Sequence, residues 1–570
     1  MNIKEHNNGK FSVSAKPVIA AVLLCCQPLA VLAADQVTPP GAGSILQQVQ
    51  PIKPAVPSSA GTGLTIEREG GAQSPASAPF RVNRIEISGN TTFDTATLHA
   101  LVADAEGKDI GLSQLGEVVG RITDYYRDHG FPLARAVIPA QSIRDGLVRV
   151  MVIEARFGKV TVENHSRASD ALLQQTLATL QAGQSVSQAQ LDHALLLVSD
   201  IPGVNATSVL KPGDTTGTSD LLVQANPGAP FAAGVTVDNT GNRYTGRTRL
   251  GGNVSIIDPL RHGDVLTVSA LTSGSDMNYG SLSYETLLNG LGTRIGGSYS
   301  ALHYKLGDTL AALDGHGTAQ VASAWIKHPF IRTREANLYA QLQFDNKQLD
   351  DQIGASNIDT KRHLDNFTAT VNGDWRTGWL SGGVGTWSLG ILEGKVSFDN
   401  MLAQLADSAT AKTQGSFSKW NANVAYLQNL SQNNALYVTL AGQSSNGNLD
   451  ASEKMAAGGP YSVRAYDVGV LSGDTGVFGS AELRHDLGQF WAGDWQALVF
   501  VDSQHITVNK TPWLAGNNNA SLSGAGAGIN WYGVDQWHAK LYVATPIGAT
   551  PELAGKDKST RAWAEIGKNF

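Results

Sequence analysis

Hydrophobic and polar positions follow three regimes along the chain. From about residue 230 onward, segments of about ten residues alternate apolar and polar and are divided by Gly, Asn, Asp and Pro. Leu266-Thr267-Val268-Ser269-Ala270, Leu436-Tyr437-Val438-Thr439-Leu440 and Ala539-Lys540-Leu541-Tyr542-Val543 show the period of two that sends successive side chains to opposite faces of a strand. A soluble sandwich would alternate in the same way. Aromatic residues near predicted strand ends (Tyr284, Trp375, Trp379, Trp420, Tyr426, Trp495, Trp531) favour a membrane barrel with interfacial girdles. About sixteen strands, each taking roughly 21 residues with its connection, fill residues 229–570, and an even number lets the last strand close on the first.

In the second regime, residues 80–155 read β-α-α-β-β. Residues 80–87 alternate with one slip at Asn83-Arg84. Leu112, Leu115, Val118, Val119, Ile122, Tyr125 and Tyr126 fall on one face of a helix that stops at His129-Gly130-Phe131-Pro132. Strands are predicted over 134–138 and 147–153. Residues 156–228 repeat the order, with a strand at 160–162, helices at 170–180 and 187–198, and strands at 204–210 and 220–224. The repeat implies two small α+β domains in tandem.

The third regime precedes both. Residues 35–78 read as mostly unstructured, and 51–79 have the Pro/Ser/Gly/Ala composition of a linker. One short helix is predicted at 44–50, within the region 35–50, with Ser44 as cap and Pro51 as stop. So short a helix does not persist alone in water. Either something else holds it, or this stretch is an unfolded tail. Residues 1–34 read as a secretory signal: Lys4, Lys10 and Lys16 precede an apolar run over 18–32 and small residues at Ala33-Ala34. The predicted regular structure of the mature chain is therefore all-β at its C-terminal end and α+β before it.

Composition narrows the function. No stretch reaches the ~20 apolar residues of a membrane helix. Both cysteines, Cys25 and Cys26, lie in the signal, and Leu24 before them argues against an acylated cysteine. The mature chain thus has no thiol for a disulfide, a nucleophile or a metal. The formal net charge is -7, a poor surface for phosphate, so no nucleic-acid partner is expected. No H-E-x-x-H, G-x-S-x-G or phosphate-loop motif is present, so neither an enzyme nor a cofactor is expected. Gly524-Ala525-Gly526-Ala527-Gly528 sits in a strand pattern with no following helix and is no phosphate cradle. All 11 Trp residues lie between Trp325 and Trp563, so the last part of the chain is built differently from the first.

Four sequence features then point one way. Tyr126-Arg127-Asp128-His129-Gly130-Phe131-Pro132-Leu133-Ala134 leads to Val137-Ile138-Pro139-Ala140-Gln141 and Val152-Ile153-Glu154. Gly459-Pro460-Tyr461-Ser462-Val463-Arg464-Ala465-Tyr466 is similar to a V-R-G-Y loop motif, with Ala465 in place of the usual Gly. Phe500-Val501-Asp502 is similar to an F-x-D strand motif. The chain ends in Phe570. In this order they resemble the TpsB transporters of two-partner secretion, the haemolysin and filamentous haemagglutinin secretion/activation proteins. These belong with BamA to the superfamily of POTRA-bearing outer-membrane barrels.

The resemblance implies two POTRA-like domains in the periplasm, at 80–155 and 156–228, and a barrel of about sixteen strands in the Gram-negative outer membrane. It implies an unfolded TpsA-type exoprotein as partner, captured through its N-terminal secretion domain and exported through the barrel. Outer-membrane lipid and lipopolysaccharide surround the barrel, and the barrel-assembly machinery inserts it. The class of client stays open among haemolysins, adhesins, haem-binding proteins and contact-dependent toxins. The neighbouring alternative is a BamA-like assembly factor or insertase. The resemblance also makes residues 44–50 a plug helix, with Ile45, Leu46 and Val49 as its apolar positions, and folds the loop of Val463, Arg464, Ala465 and Tyr466 into the lumen.

Alternation over 496–502 puts Gln496, Leu498, Phe500 and Asp502 on one face, and Ala497, Val499 and Val501 suit lipid on the other. Asp502 is therefore expected in the lumen, with the Arg464 guanidinium as its partner and Phe500 packed against it. The alternative is a solvated Arg464 and a generic pore charge at Asp502.

Overall fold

The computed structural model describes residues 39–49, 64–66, 77–555 and 559–570. The predicted signal and most of the linker, including Gln50, lie outside the described residues.

Among these residues, sixteen antiparallel strands form one closed barrel, from Phe231–Asp238 to Arg561–Asn569, in which neighbours in sequence are neighbours in space. The last strand pairs with the first, Gly234 opposite Asn569, and the Phe570 amide donates to the Ala233 carbonyl at 2.9 Å. Closure leaves no edge, which hydrocarbon requires. The central strands are longer than the ten-residue pattern: Ile358–Thr377 runs 20 residues and Gly315–Arg332 runs 18. The alternation marks only the part that meets lipid, and these strands continue beyond it.

Val235, Leu250, Val254, Leu282, Leu342 and Phe367 alternate outward and are exposed, as a lipid-facing surface requires. Trp375 stacks on Tyr426 across Gly385, and Trp495 pairs with Trp531. Both pairs lie near one rim of the barrel, on its outer face. Beside short 3-10 turns in the loops, such as Asp308–Leu313, an α-helix departs from the all-strand expectation: Met401–Ala409, in the loop after Gly383–Phe398. Asn400 caps it through a 2.8 Å bond from the Ala403 amide. Its nine residues are too few for a periodic pattern to stand out.

Two α+β units precede the barrel. In the first, Arg84–Ser88 pairs in parallel with Leu147–Ile153, which pairs antiparallel with Arg135–Val137. Helix Leu112–Asp128 buries Leu115, Val119, Ile122 and Tyr126 against that sheet. The slip at Asn83 is a break: its amide donates to the Gly146 carbonyl, and Phe80–Val82 joins Lys108–Ile110 in a separate ribbon. Glu154 ties the end of the unit to its start. Burial opposes its charge, yet the Thr91 hydroxyl, the Thr92 and Thr91 amides and the Tyr126 hydroxyl hold its pKa down to about 2.

In the second unit, helices Asp170–Leu177 and Gln188–Ser199 cover a sheet of Arg156–Asn164, Thr218–Pro227 and Val204–Pro212. Phe157, Leu173, Leu191 and Leu195 fill its core. A fourth strand, Leu64–Ile66, comes from the stretch expected to be unstructured and pairs in parallel with Val204–Pro212. Three residues are too short for alternation to register.

The second unit docks on one rim. Arg332 grips the Asp200 carboxylate with two bonds of 2.6 and 2.8 Å, Arg334 reaches Asp192 at 2.6 Å, and Arg294 donates to the Asp200 carbonyl. This is the rim near the Trp375–Tyr426 and Trp495–Trp531 pairs. The longest loop, 446–474, rises from the opposite rim and turns back into the lumen.

Candidate functional site

Two segments fill the lumen. One is helix Ala42–Val49 and the other is loop 446–474. The helix starts two residues before the predicted 44–50. Ser44 is not its cap: its hydroxyl donates to the Gly41 carbonyl inside the first turn. The opening amide, Ala42, instead donates to Asp351 on the barrel wall at 2.6 Å. A wall carboxylate thus takes the capping place and meets the positive end of the helix dipole. Ile45 and Leu46 are buried against wall residues including Leu302, Ala319 and Leu349, and Val49 packs at the edge of that cluster.

The loop carries the V-R-A-Y turn to mid-wall. Arg464 is 4% exposed and Asp502 is fully buried. The guanidinium grips Asp502 with two bonds, Nε to Oδ2 at 2.9 Å and Nη2 to Oδ1 at 2.7 Å. The Arg464 amide adds a third bond to the same carboxylate, at 3.1 Å. Phe500 lies under the guanidinium, 3.4 Å from its carbon to the ring centre. The sequence reading named these three residues. It missed Glu482, which takes Arg464 Nη1 at 2.6 Å, and Ser480, which bonds both Arg464 and Asp502. Both stand on the adjacent strand Thr475–Phe490, where Ser480 is directly opposite Asp502. Strand register, which sequence does not display, brings them there. Trp563 closes the turn from above by donating to the Arg464 carbonyl at 2.7 Å.

Val463, Ala465 and Tyr466 are buried with this group. Ala465 does not adopt a left-handed backbone, so the missing motif glycine leaves no strain. Space for the turn comes from the facing wall. A Cβ on Gly524 would lie 2.4 Å from that of Ala465, and one on Gly526 would lie 2.4 Å from the Phe500 ring. Gly524 and Gly526 of the glycine run thus form a smooth floor beneath the loop.

A second anchor, unforeseen in the sequence, lies nearer the far rim. Glu453 is 2% exposed and binds Lys347 at 2.5 Å and Lys419 at 2.9 Å. Arg362 joins Asp450 of the loop to Asp351, the residue that caps the helix. Gln47 of the helix donates to the Ser452 carbonyl at 2.7 Å. Helix, loop and wall thus share one ionic network. Between it and the docked rim a cavity of ≈ 1230 Å³ remains, bordered by Leu46 and Gln48 of the helix and by Arg464.

The profile of the haemolysin secretion/activation protein family ShlB/FhaC/HecB matches residues 217–531, more than half of the chain. The chain belongs to this family. The POTRA domain of the ShlB type matches residues 80–155. The heme/hemopexin transporter protein HuxB of Haemophilus influenzae is 26% identical over 98% of this chain and 99% of its own. Among solved structures, CdiB from Escherichia coli superposes with a TM-score of 0.68 at 19% identity, over 99% of this chain and 100% of that one. BamA from Haemophilus ducreyi lacking POTRA domains 1–3 gives 0.50 at 15% identity, over 86% and 100%. These two likenesses show the fold. As a member of the ShlB/FhaC/HecB family the protein is an outer-membrane translocator of a partner exoprotein, with its POTRA domain in the periplasm.

Proposed function

We propose that this chain captures one large exoprotein in an unfolded state and passes it through the barrel lumen, and that it catalyses no reaction. The observation that carries the reading is the lumen's contents: a short helix and an inward loop, held by ions and hydrogen bonds, fill the space a client would need. Removing both would leave a channel, since a sixteen-stranded barrel encloses an aqueous lumen unless something fills it. An insertase that laterally discharges strands has no need of a separate lumenal helix.

In this reading residues 156–228 are a second POTRA-type domain, 51–79 tether the plug and 1–34 direct export. Arg464 and Asp502 hold the loop in place for transport. The barrel-assembly machinery and outer-membrane lipid are the remaining partners. The test is deletion of the gene, followed by mass spectrometry of the culture medium. One large protein should vanish from the medium and return on complementation. An unchanged set of secreted proteins would sink the reading.

A further inference from the structure

Helix Met401–Ala409, on the rim away from the docked unit, turns its apolar side away from the protein. Ala403 and Asp407, one turn apart, form its buried side. From behind, the helix is pinned. Asp407 accepts the Thr413 amide and hydroxyl and the Gln414 amide, and Asn400 donates to the Asp359 carbonyl of the barrel wall. The opposite side carries Met401, Leu402 and Leu405, which are 75%, 74% and 53% exposed. Asp407 is the one charged residue of the helix and it is buried, so no charge keeps the outer side in water. A firmly held, uncharged apolar surface that meets solvent marks a place where something binds.

Membrane lipid does not reach it. On Ile358–Thr377, Phe367 faces outward at 65% exposure, and the next outward positions toward the helix are Asp365, His363, Lys361 and Asp359. From Phe367 to Asp359 a strand tilted by ~40° climbs roughly 20 Å above its last apolar side chain. A second copy of the chain is also a poor fit. Three side chains offer on the order of 400 Å², about half of the roughly 800 Å² per partner in a stable interface. A patch of this size suits a brief contact with something that passes. Its neighbours set what passes. Asn448, at the root of loop 446–474, donates to the Ala411 carbonyl just after the helix at 2.7 Å and to the Thr511 carbonyl at 2.9 Å. The helix is thus fastened to the segment that descends into the lumen, at the external mouth of the barrel.

We propose that Met401, Leu402 and Leu405 form the first surface that the exported client meets outside the barrel, and that this surface takes apolar side chains of the client's extended chain. The inference rests on the translocator reading. An extended chain sends alternate side chains to one side, and a segment that has just emerged has no client partner to cover its apolar side. The helix covers it until the following residues arrive and pack there. Each such contact also opposes sliding back. With no charge on the surface, successive segments of different charge use it in turn.

The contact is tested in cells with a photo-crosslinking amino acid at Leu405 or at Gln404, which is exposed on the flank of the same helix about 100° away. Leu405 should give an adduct with the exoprotein that gene deletion removes from the medium, and Gln404 at least about five-fold less. Equal adducts from the two positions, no adduct at Leu405, or an adduct there with only lipopolysaccharide or a second copy of the chain overturns the proposal.

Its use in export is tested by Leu402→Gln/Leu405→Gln against Leu402→Met/Leu405→Met. Gln and Met have similar length and helix preference, so the comparison isolates apolar character. Both positions are exposed, so heat-modifiability should show an intact barrel in each variant. In a pulse-chase the Gln variant should release the exoprotein about three- to five-fold more slowly than the parent, and the Met variant at the parent's rate. Release by the Gln variant at the parent's rate, or equal slowing by the Met variant, overturns the proposal. If gene deletion leaves the medium unchanged, the translocator reading fails and this proposal falls with it. If deletion removes the exoprotein and Leu405 still gives no adduct with it, the docking surface alone fails.

Discussion

The lumen and the α+β units both bury apolar side chains, but only the lumen adds a network of buried charges that joins its movable parts to the wall. In the units, Phe157, Leu173 and Leu191 of one, and Leu115, Ile122 and Val148 of the other, exclude water with aliphatic and aromatic side chains. In the lumen, Arg464, Asp502, Glu453 and Arg362 are buried as charges, each paired. An apolar core is lost only by unfolding, because exposing it has no compensation. A paired charge can leave its partner for water at little net expense, since desolvation nearly balances attraction in a buried pair. Beside the apolar contacts of Ile45, Leu46 and Val463, the segments that must move for transport are held by contacts that water can replace. The units that must stay folded while a client passes are not.

The largest effect should come from removing one member of a pair, which strands its partner. Arg464→Ala and Asp502→Ala should each destabilise the loop by roughly 3–5 kcal/mol, and export should fall at least about ten-fold while heat-modifiability on gels shows an intact barrel. The double variant should be little worse than either single, as for partners in one interaction. Lys at 464 should rescue only in part, since it lacks the fork. Additive losses would break the comparison, for they would mean that the two side chains act separately.

Phe157→Ala probes the other side. It should lower the stability of the second unit by roughly 3–4 kcal/mol, read as protease sensitivity of the region before the barrel, while the barrel itself stays resistant. A barrel that became sensitive as well would show that the two regions fold as one.

Acid distinguishes the first unit from both. Glu154 titrates lower folded than unfolded, so its contribution is present above its ordinary pKa and is lost as the pH falls toward about 2. The contribution is roughly 3 kcal/mol at neutral pH, of which roughly 2 should be gone at pH 3. Glu154→Gln should abolish this acid dependence in urea-dependent proteolysis of the first unit. An unchanged dependence would place its origin in other carboxylates.

The smallest effect should be at the contact between helix and loop. Gln47→Ala removes one bond, to the Ser452 carbonyl, worth about 1 kcal/mol, too little to unseat the helix fully. Single-channel recordings should show more frequent openings rather than a permanently larger conductance. Identical recordings from variant and parent would mean that this bond does not hold the helix.

Much of this was legible because a strand has a period of two. Alternation alone put Leu498, Phe500 and Asp502 on one face, and all three are buried in the lumen. Sixteen turn-bounded segments gave the barrel its size. The partner of Asp502 was legible only through resemblance, since 38 residues separate it from Arg464. Lys347 and Glu453 are 106 apart, and no local pattern links them. Ser480 and Glu482 read as ordinary strand polars until the register sets them beside Asp502. The helix Met401–Ala409 and the strand Leu64–Ile66 were too short for any periodicity to reveal.

The lumenal helix also fixes a direction. Its first amide meets Asp351, near the end of strand Ala336–Ile353 that lies away from the docked unit. Its last residues border the cavity on the docked side. Pro39, just before the helix, is thus presented toward the cell exterior although Leu64 is held in the periplasm. The chain is threaded through its own pore. A short epitope inserted before Pro39 should be readable by antibody on intact cells while the pore is closed and should disappear from the surface when the helix withdraws, giving a live count of unplugged translocators.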